Sequence, residues 1–86
     1  MTPIEQSLIA VLVELTDSRP EQISLTTSFD QQGVDSFIAL RLMRAINDQF
    51  GVDLELELLF DYPNVQALAQ LIDSRRADSM QNNNVN

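Results

Sequence analysis

Three runs of apolar residues spaced three and four apart confine this chain to a small helical bundle. Ile4, Leu8, Val11, Leu12 and Leu15 form the first run. Ala39, Leu42, Met43, Ile46 and Phe50 form the second, and Val65, Leu68, Ala69 and Ile72 the third. That spacing places each set on one side of a helix with 3.6 residues per turn. The runs also carry their own punctuation. Thr2 can cap the first helix, Pro3 suits its first position, and Glu5 stands where a capping-box glutamate belongs. Asp35 or Ser36 caps the second, and Gly51 stops it. Asn64 caps the third after Pro63, and Arg75 and Arg76 fall in its last turn, where cations favour the helix dipole. Helices are therefore expected over about 3–16, 36–50 and 65–76.

The segments between these helices are less regular. Residues 17–35 form a long loop rich in Ser, Thr and Asp, and loops of that length usually carry function or short turns of their own. Ile23, Leu25 and Phe29 are expected to pin it to the core. Residues 52–58 alternate Val52, Leu54, Leu56 and Leu58 with Asp53, Glu55 and Glu57, a period of two that suggests a strand. A lone strand has no partner in a helical chain, so an extended loop leading into a short helix near 56–61 is expected. These acidic residues lack the glycine and ligand spacing of an EF-hand. From Ala77 the chain is polar and aperiodic, which predicts a disordered tail or linker over 77–86 beside a single domain over 1–76. The fold class is all-α: a four-helix bundle with three longer helices, a short third helix and a long first loop. Its expected core is Leu8, Leu12, Leu15, Phe29, Ile46, Phe50, Phe60, Leu68 and Ile72. At roughly 1.5–3 kcal/mol per buried large apolar side chain, such a core suffices against chain entropy.

Composition limits the chemistry. The 86 residues contain no cysteine and no histidine. That excludes disulfides, thiolate metal sites, a cysteine nucleophile and a Ser-His-Asp triad within the chain. No metal site and no catalytic residue are expected. Thirteen acidic residues face only five basic ones, all arginine, for a net charge of −8. A chain so acidic repels nucleic acid and anionic membranes and suits basic protein surfaces. No apolar run approaches the ~20 residues a membrane span needs, and no leader is evident, so the cytoplasm is the expected location.

One feature invites chemistry. Gly33-Val34-Asp35-Ser36 sets a serine hydroxyl at the mouth of the second helix. Free N–H groups and a partial positive charge there favour a phosphate. On its own, an Asp-Ser pair at such a place is an ordinary cap, and Gly33 an ordinary turn residue. On the far side of the same helix, Phe37, Arg41, Arg44 and Asp48 cluster, with Leu40 at the border. An aromatic among arginines on a solvent face, next to Ser36, suggests contact with partners.

The order of parts is more specific than any one of them. A helix, a long loop with Phe29, the tetrad, a helix ending in Phe50-Gly51, then Leu58-Leu59-Phe60-Asp61-Tyr62-Pro63 and a last helix follow one another. Over residues 4–73 the chain resembles the acyl carrier protein family, most closely the carrier domains of polyketide synthases. The resemblance implies that a phosphopantetheinyl transferase, using coenzyme A and magnesium, attaches 4′-phosphopantetheine to Ser36. The arm's thiol then holds acyl groups as thioesters for a ketosynthase, an acyltransferase and other synthase enzymes. Asp35 matches the family's acidic residue and would support the transferase's metal or docking. The domain would be a monomer in isolation and not itself an enzyme.

Some positions depart from common patterns. Phe37 stands where leucine often follows the serine. Arg41 stands where many fatty-acid carriers turn an acidic residue toward partners, and Arg44 follows a turn later, which favours a dedicated synthase matched to Phe37, Leu40, Arg41 and Arg44. Val34-Asp35 differs from the second glycine and histidine usual in peptide-synthetase carriers. Leu42 stands where some β-branching polyketide carriers have tryptophan. Two other readings stay open: a carrier of fatty-acid or aminoacyl groups, and an unmodified helical adaptor. The carrier readings require the Ser36 hydroxyl to be accessible.

Overall fold

A computed structural model describes the backbone of residues 1–85 and the side chains of residues 1–77. It contains four α-helices: α1 (Pro3–Thr16), α2 (Ser36–Phe50), α3 (Leu58–Asp61) and α4 (Val65–Val85). No strand occurs among the described residues. Short 3₁₀ turns at Pro20–Gln22 and Phe29–Gln32 give the long first loop local order.

The helix limits follow local chemistry. Thr2 and Glu5 form the full capping box, with the Thr2 N–H donating to Glu5 Oε1 at 2.8 Å and the Glu5 N–H to Thr2 Oγ1 at 3.1 Å. This pairing explains how Glu5 tolerates burial. Asp35, not Ser36, is the cap of α2, its carboxylate accepting from the Ile38 N–H at 2.9 Å. Gly51 ends α2 in the left-handed region at φ 65°, where a side chain would be strained. Asn64 Oδ1 accepts from the Ala67 N–H at the start of α4.

Helix α1 packs against both α2 and α4. Leu8 and Leu12 meet Leu42, Met43 and Ile46 from α2 and Val65, Leu68, Ala69, Leu71 and Ile72 from α4. The apolar faces expected from the sequence are thus the ones the bundle turns inward, with Ile4, Val11, Leu15, Ala39 and Phe50 only partly covered. Ile23 and Phe29 are buried and Leu25 is partly so, and together they pin the first loop.

Two expectations need correction. Phe60, expected in the core, is 85% exposed. Helix α3 is four residues long, too short for a repeat to fix which side faces inward. The neighbours Leu58 and Leu59, not Phe60, pack against the core. Helix α4 also does not stop near residue 76 but continues to Val85, through the residues expected to be a disordered tail. No glycine or proline interrupts residues 65–85, so nothing in the backbone forces an end.

Within the alternating segment, residues 52–55 form neither helix nor strand and 56–57 turn into α3, and the segment has an unusual partner. The Asn47 side chain donates to the Leu54 carbonyl at 3.0 Å and accepts from the Leu54 N–H at 2.8 Å. One side-chain amide thereby takes the place of a neighbouring strand. Leu54 is buried as a result of this arrangement, while Asp53, Glu55 and Glu57 face solvent.

Candidate functional site

The chain turns into α2 over four residues with distinct tasks. Gly33 closes the second 3₁₀ turn at φ 86°, a conformation that disfavours any side chain. Val34 is buried, and its N–H donates to the Phe29 carbonyl at 3.0 Å. Asp35 caps the helix. Ser36 is the first helical residue and is exposed. Among the described residues, its hydroxyl makes no hydrogen bond.

Because Asp35 takes the cap, the serine is left free of that duty. The amides of Ser36 and Phe37 are ones that a helix start leaves without an intrahelical acceptor. Their N–H groups and the helix dipole create a local positive potential beside the hydroxyl.

Next to Ser36 lies an open cleft of about 550 Å³. Phe29, Val34, Leu56, Leu59, Phe60 and Pro63 give it a mainly apolar lining, and Ser28, Asp30, Asp35 and Ser36 lie along it. Leu59 and Phe60 of α3 line the cleft together with Ser36 and Ala39 of α2. The Phe29 N–H donates to the Pro63 carbonyl at 2.8 Å, which ties the first loop to the α3–α4 corner.

The partner-facing residues expected on α2 are where the helical spacing puts them. Phe37 is 66% and Leu40 40% exposed, and Arg41 and Arg44 are also exposed. The Arg41 guanidinium lies over the Phe37 ring, 5.4 Å from its centroid, a cation–π contact. Phe60 joins this exposed apolar set from α3, a residue that sequence reasoning assigned to the core. Its signal was the run Leu58-Leu59-Phe60, in which three large apolar residues on one short helix cannot all point inward.

An exposed serine at a helix start, with its cap supplied by the residue before it and an apolar cleft alongside, fits a group joined through a phosphodiester. Comparison with known proteins decides the family. The family described as "Phosphopantetheine attachment site" matches residues 6–72. The chain belongs to this family of carrier domains. Its members bear 4′-phosphopantetheine covalently, and carrier domains of this kind are non-catalytic parts of polyketide and peptide synthases.

The carrier domain is 34% identical over 62 residues, 72% of this chain, to the non-reducing polyketide synthase atnG of an Arthrinium species. It is 26% identical over 76 residues, 88% of this chain, to bacitracin synthase 1 of Bacillus licheniformis. It spans only 3% and 1% of the lengths of those two proteins. Among solved structures, a free-standing peptidyl carrier protein from an Acinetobacter baumannii secondary metabolic pathway superposes with a TM-score of 0.78 at 30% identity. That alignment covers 83% of this chain and 89% of the other. The HMG-ACPI domain of the CurA module from Lyngbya majuscula shares the fold, with a TM-score of 0.78 at 24% identity over 92% of this chain and 90% of that one.

Proposed function

We propose that Ser36 is the attachment point of the arm and that the domain carries acyl intermediates for a polyketide synthase. The observation that carries the first part is the exposed Ser36 hydroxyl on the first turn of α2, with Asp35 holding the cap. In this reading Asp35 supports modification by keeping the first turn closed while leaving the serine accessible. The arm, once bound, supplies a thiol nucleophile to a chain that has none.

Support for a polyketide substrate comes from Val34-Asp35 before the serine and from the similarity to a non-reducing polyketide synthase. Aminoacyl carriage is the second reading, favoured by the 30% identity to a free-standing peptidyl carrier protein. Ketosynthase and acyltransferase partners would act on the first kind of cargo, and an adenylation enzyme would load the second. Phe37, Leu40, Arg41 and Arg44 are the proposed docking strip, joined by Phe60. The carrier domain proper is proposed to be residues 1–76, since Ile72 is the last buried residue of α4 among the described side chains and residues 73–77 are exposed. A monomeric, cytoplasmic setting is proposed with it, in line with a net charge of −8 that sets copies of the domain against each other.

Incubation with coenzyme A, magnesium and a broad-specificity phosphopantetheinyl transferase tests the carrier role. The protein should gain the mass of one arm, and Ser36→Ala should gain none. An unmodified protein, under conditions that modify a control carrier, would instead favour the adaptor reading. With the holo form in hand, acylation by ketosynthases or acyltransferases against loading by adenylation enzymes separates the two kinds of cargo. Arg41→Glu should slow transfer with the cognate synthase by about tenfold, equivalent to ~1.4 kcal/mol, and leave the helical circular dichroism unchanged. Unchanged transfer rates would remove Arg41 from the docking strip.

A further inference from the structure

The loop that delivers Ser36 is held by one side chain whose contacts exceed its own packing needs. Gln32 is the last residue of the second 3₁₀ turn, directly before Gly33. Its Oε1 accepts from the Ser24 N–H at 2.6 Å. Its Nε2 donates to the Ser24 carbonyl at 3.1 Å and to the Thr27 carbonyl at 2.8 Å. Among the described residues, no backbone hydrogen bond joins limb 24–27 to residues 29–34. Gln32 makes that junction alone.

Limb 24–27 is in turn fixed to the start of α4. The Gln66 N–H donates to the Leu25 carbonyl at 3.0 Å, and Asn64 Nδ2 donates to the Thr26 carbonyl at 3.3 Å. A continuous polar connection therefore runs from α4 through limb 24–27 and Gln32 to the residue before Gly33. Gly33, at φ 86°, is the turn between that connection and the cap of α2, and its N–H and that of Val34 both donate to the Phe29 carbonyl. Whatever fixes the chain upstream of it fixes the direction in which Val34, Asp35 and Ser36 are presented.

The geometry points to Gln32 as a positioning residue for Ser36 modification, acting through the Gly33–Asp35 turn. This rests on the reading of Ser36 as the attachment point. Without the amide, limb 24–27 and the 3₁₀ turn keep only the link through Ser28, the Phe29–Pro63 bond and the packing of Leu25 and Phe29, and the turn samples more orientations that a transferase does not bind. A fall in the binding-competent fraction raises the apparent dissociation constant in proportion and leaves the bound complex unchanged. The signature is a higher KM for the carrier, with kcat little altered.

Two measurements on Gln32→Ala test this. In the transferase reaction with coenzyme A and magnesium, its KM should rise about three- to tenfold with kcat within about twofold of the parent. In hydrogen exchange of the unmodified protein, the Ser24 and Val34 amides should both lose protection, while the amides of α1 keep theirs. Loss of protection at Ser24 with Val34 protection and KM both unchanged would overturn the proposal, because Phe29 and Val34 would then suffice to hold the turn. Should Gln32→Ala fail to fold, Gln32→Glu keeps the acceptor for the Ser24 N–H and loses both donations. Its second carboxylate oxygen faces the Ser24 and Thr27 carbonyls, so its KM should also rise above the parent's, and a parental KM would contradict the positioning role. If the parent protein is not modified at Ser36, the carrier reading fails by itself. The exchange data then decide alone, and an unaltered Val34 amide in Gln32→Ala rejects the claim.

Discussion

The body of the bundle and the end that bears Ser36 are held by different forces. In the body, Leu42, Ile46, Val65, Leu68 and Ile72 are fully buried, and shape follows from close apolar packing. At the other end, Phe37, Leu40 and Phe60 stand in solvent, and the chain is fixed by directional hydrogen bonds from Gln32 and Asn64, while Asn47 makes a clamp of the same kind near the C-terminal end of α2. The difference teaches a division of labour. A surface that must meet other proteins cannot be buried, so its backbone is located by polar side chains reaching from the rim. Amide side chains suit this task, since each offers both a donor and an acceptor to the backbone.

The contrast can be broken most strongly in the body. Ile46→Ala removes a fully buried side chain at the centre of the core, and should cost about 2–5 kcal/mol of stability. A denaturant titration measures it, and a loss below ~1 kcal/mol would mean that the packing is looser than the burial indicates. Asn47→Ala tests the polar mode. It leaves the Leu54 N–H and carbonyl without their side-chain partner, and should cost about 1–3 kcal/mol. Exchange of the Leu54 amide should quicken with it. If that amide keeps its protection, the extended segment is held by burial of Leu54 and not by the clamp. Phe60→Ser is the smallest expected change in stability, within about 0.5 kcal/mol, because the ring is mostly exposed. Its effect should fall on recognition, as slower transfer by a synthase partner. A thermal midpoint several degrees lower would mean that Phe60 supports the fold after all.

The body was the more legible of the two regions. Helices α1 and α2 fall within their expected limits because capping box, proline, glycine and apolar period agree with one another. The carrier family was legible too, through the tetrad and the Leu-Phe-Asp-Tyr-Pro stretch. Phe60 was not, since a helix of four residues has no period to read. Val34 was seen only as part of a motif, although its side chain anchors the turn to the core. The clamps by Gln32 and Asn47 join backbone groups five to eight residues away, through contacts that no local pattern encodes. The continuation of α4 past Arg76 went unread for a different reason. Weak helix formers such as asparagine argue against a helix without forbidding one.

The account turns on which hydroxyl the molecule offers for modification. Ser28 and Ser36 lie along the same cleft, but Ser28 is half-buried, whereas Ser36 is exposed at the start of α2. Fragmentation mass spectrometry of the protein, after incubation with coenzyme A, magnesium and a phosphopantetheinyl transferase, reads the site directly. A single arm located on Ser36 is the predicted result. An arm on Ser28, or none on a protein whose control carrier is fully modified, would contradict it.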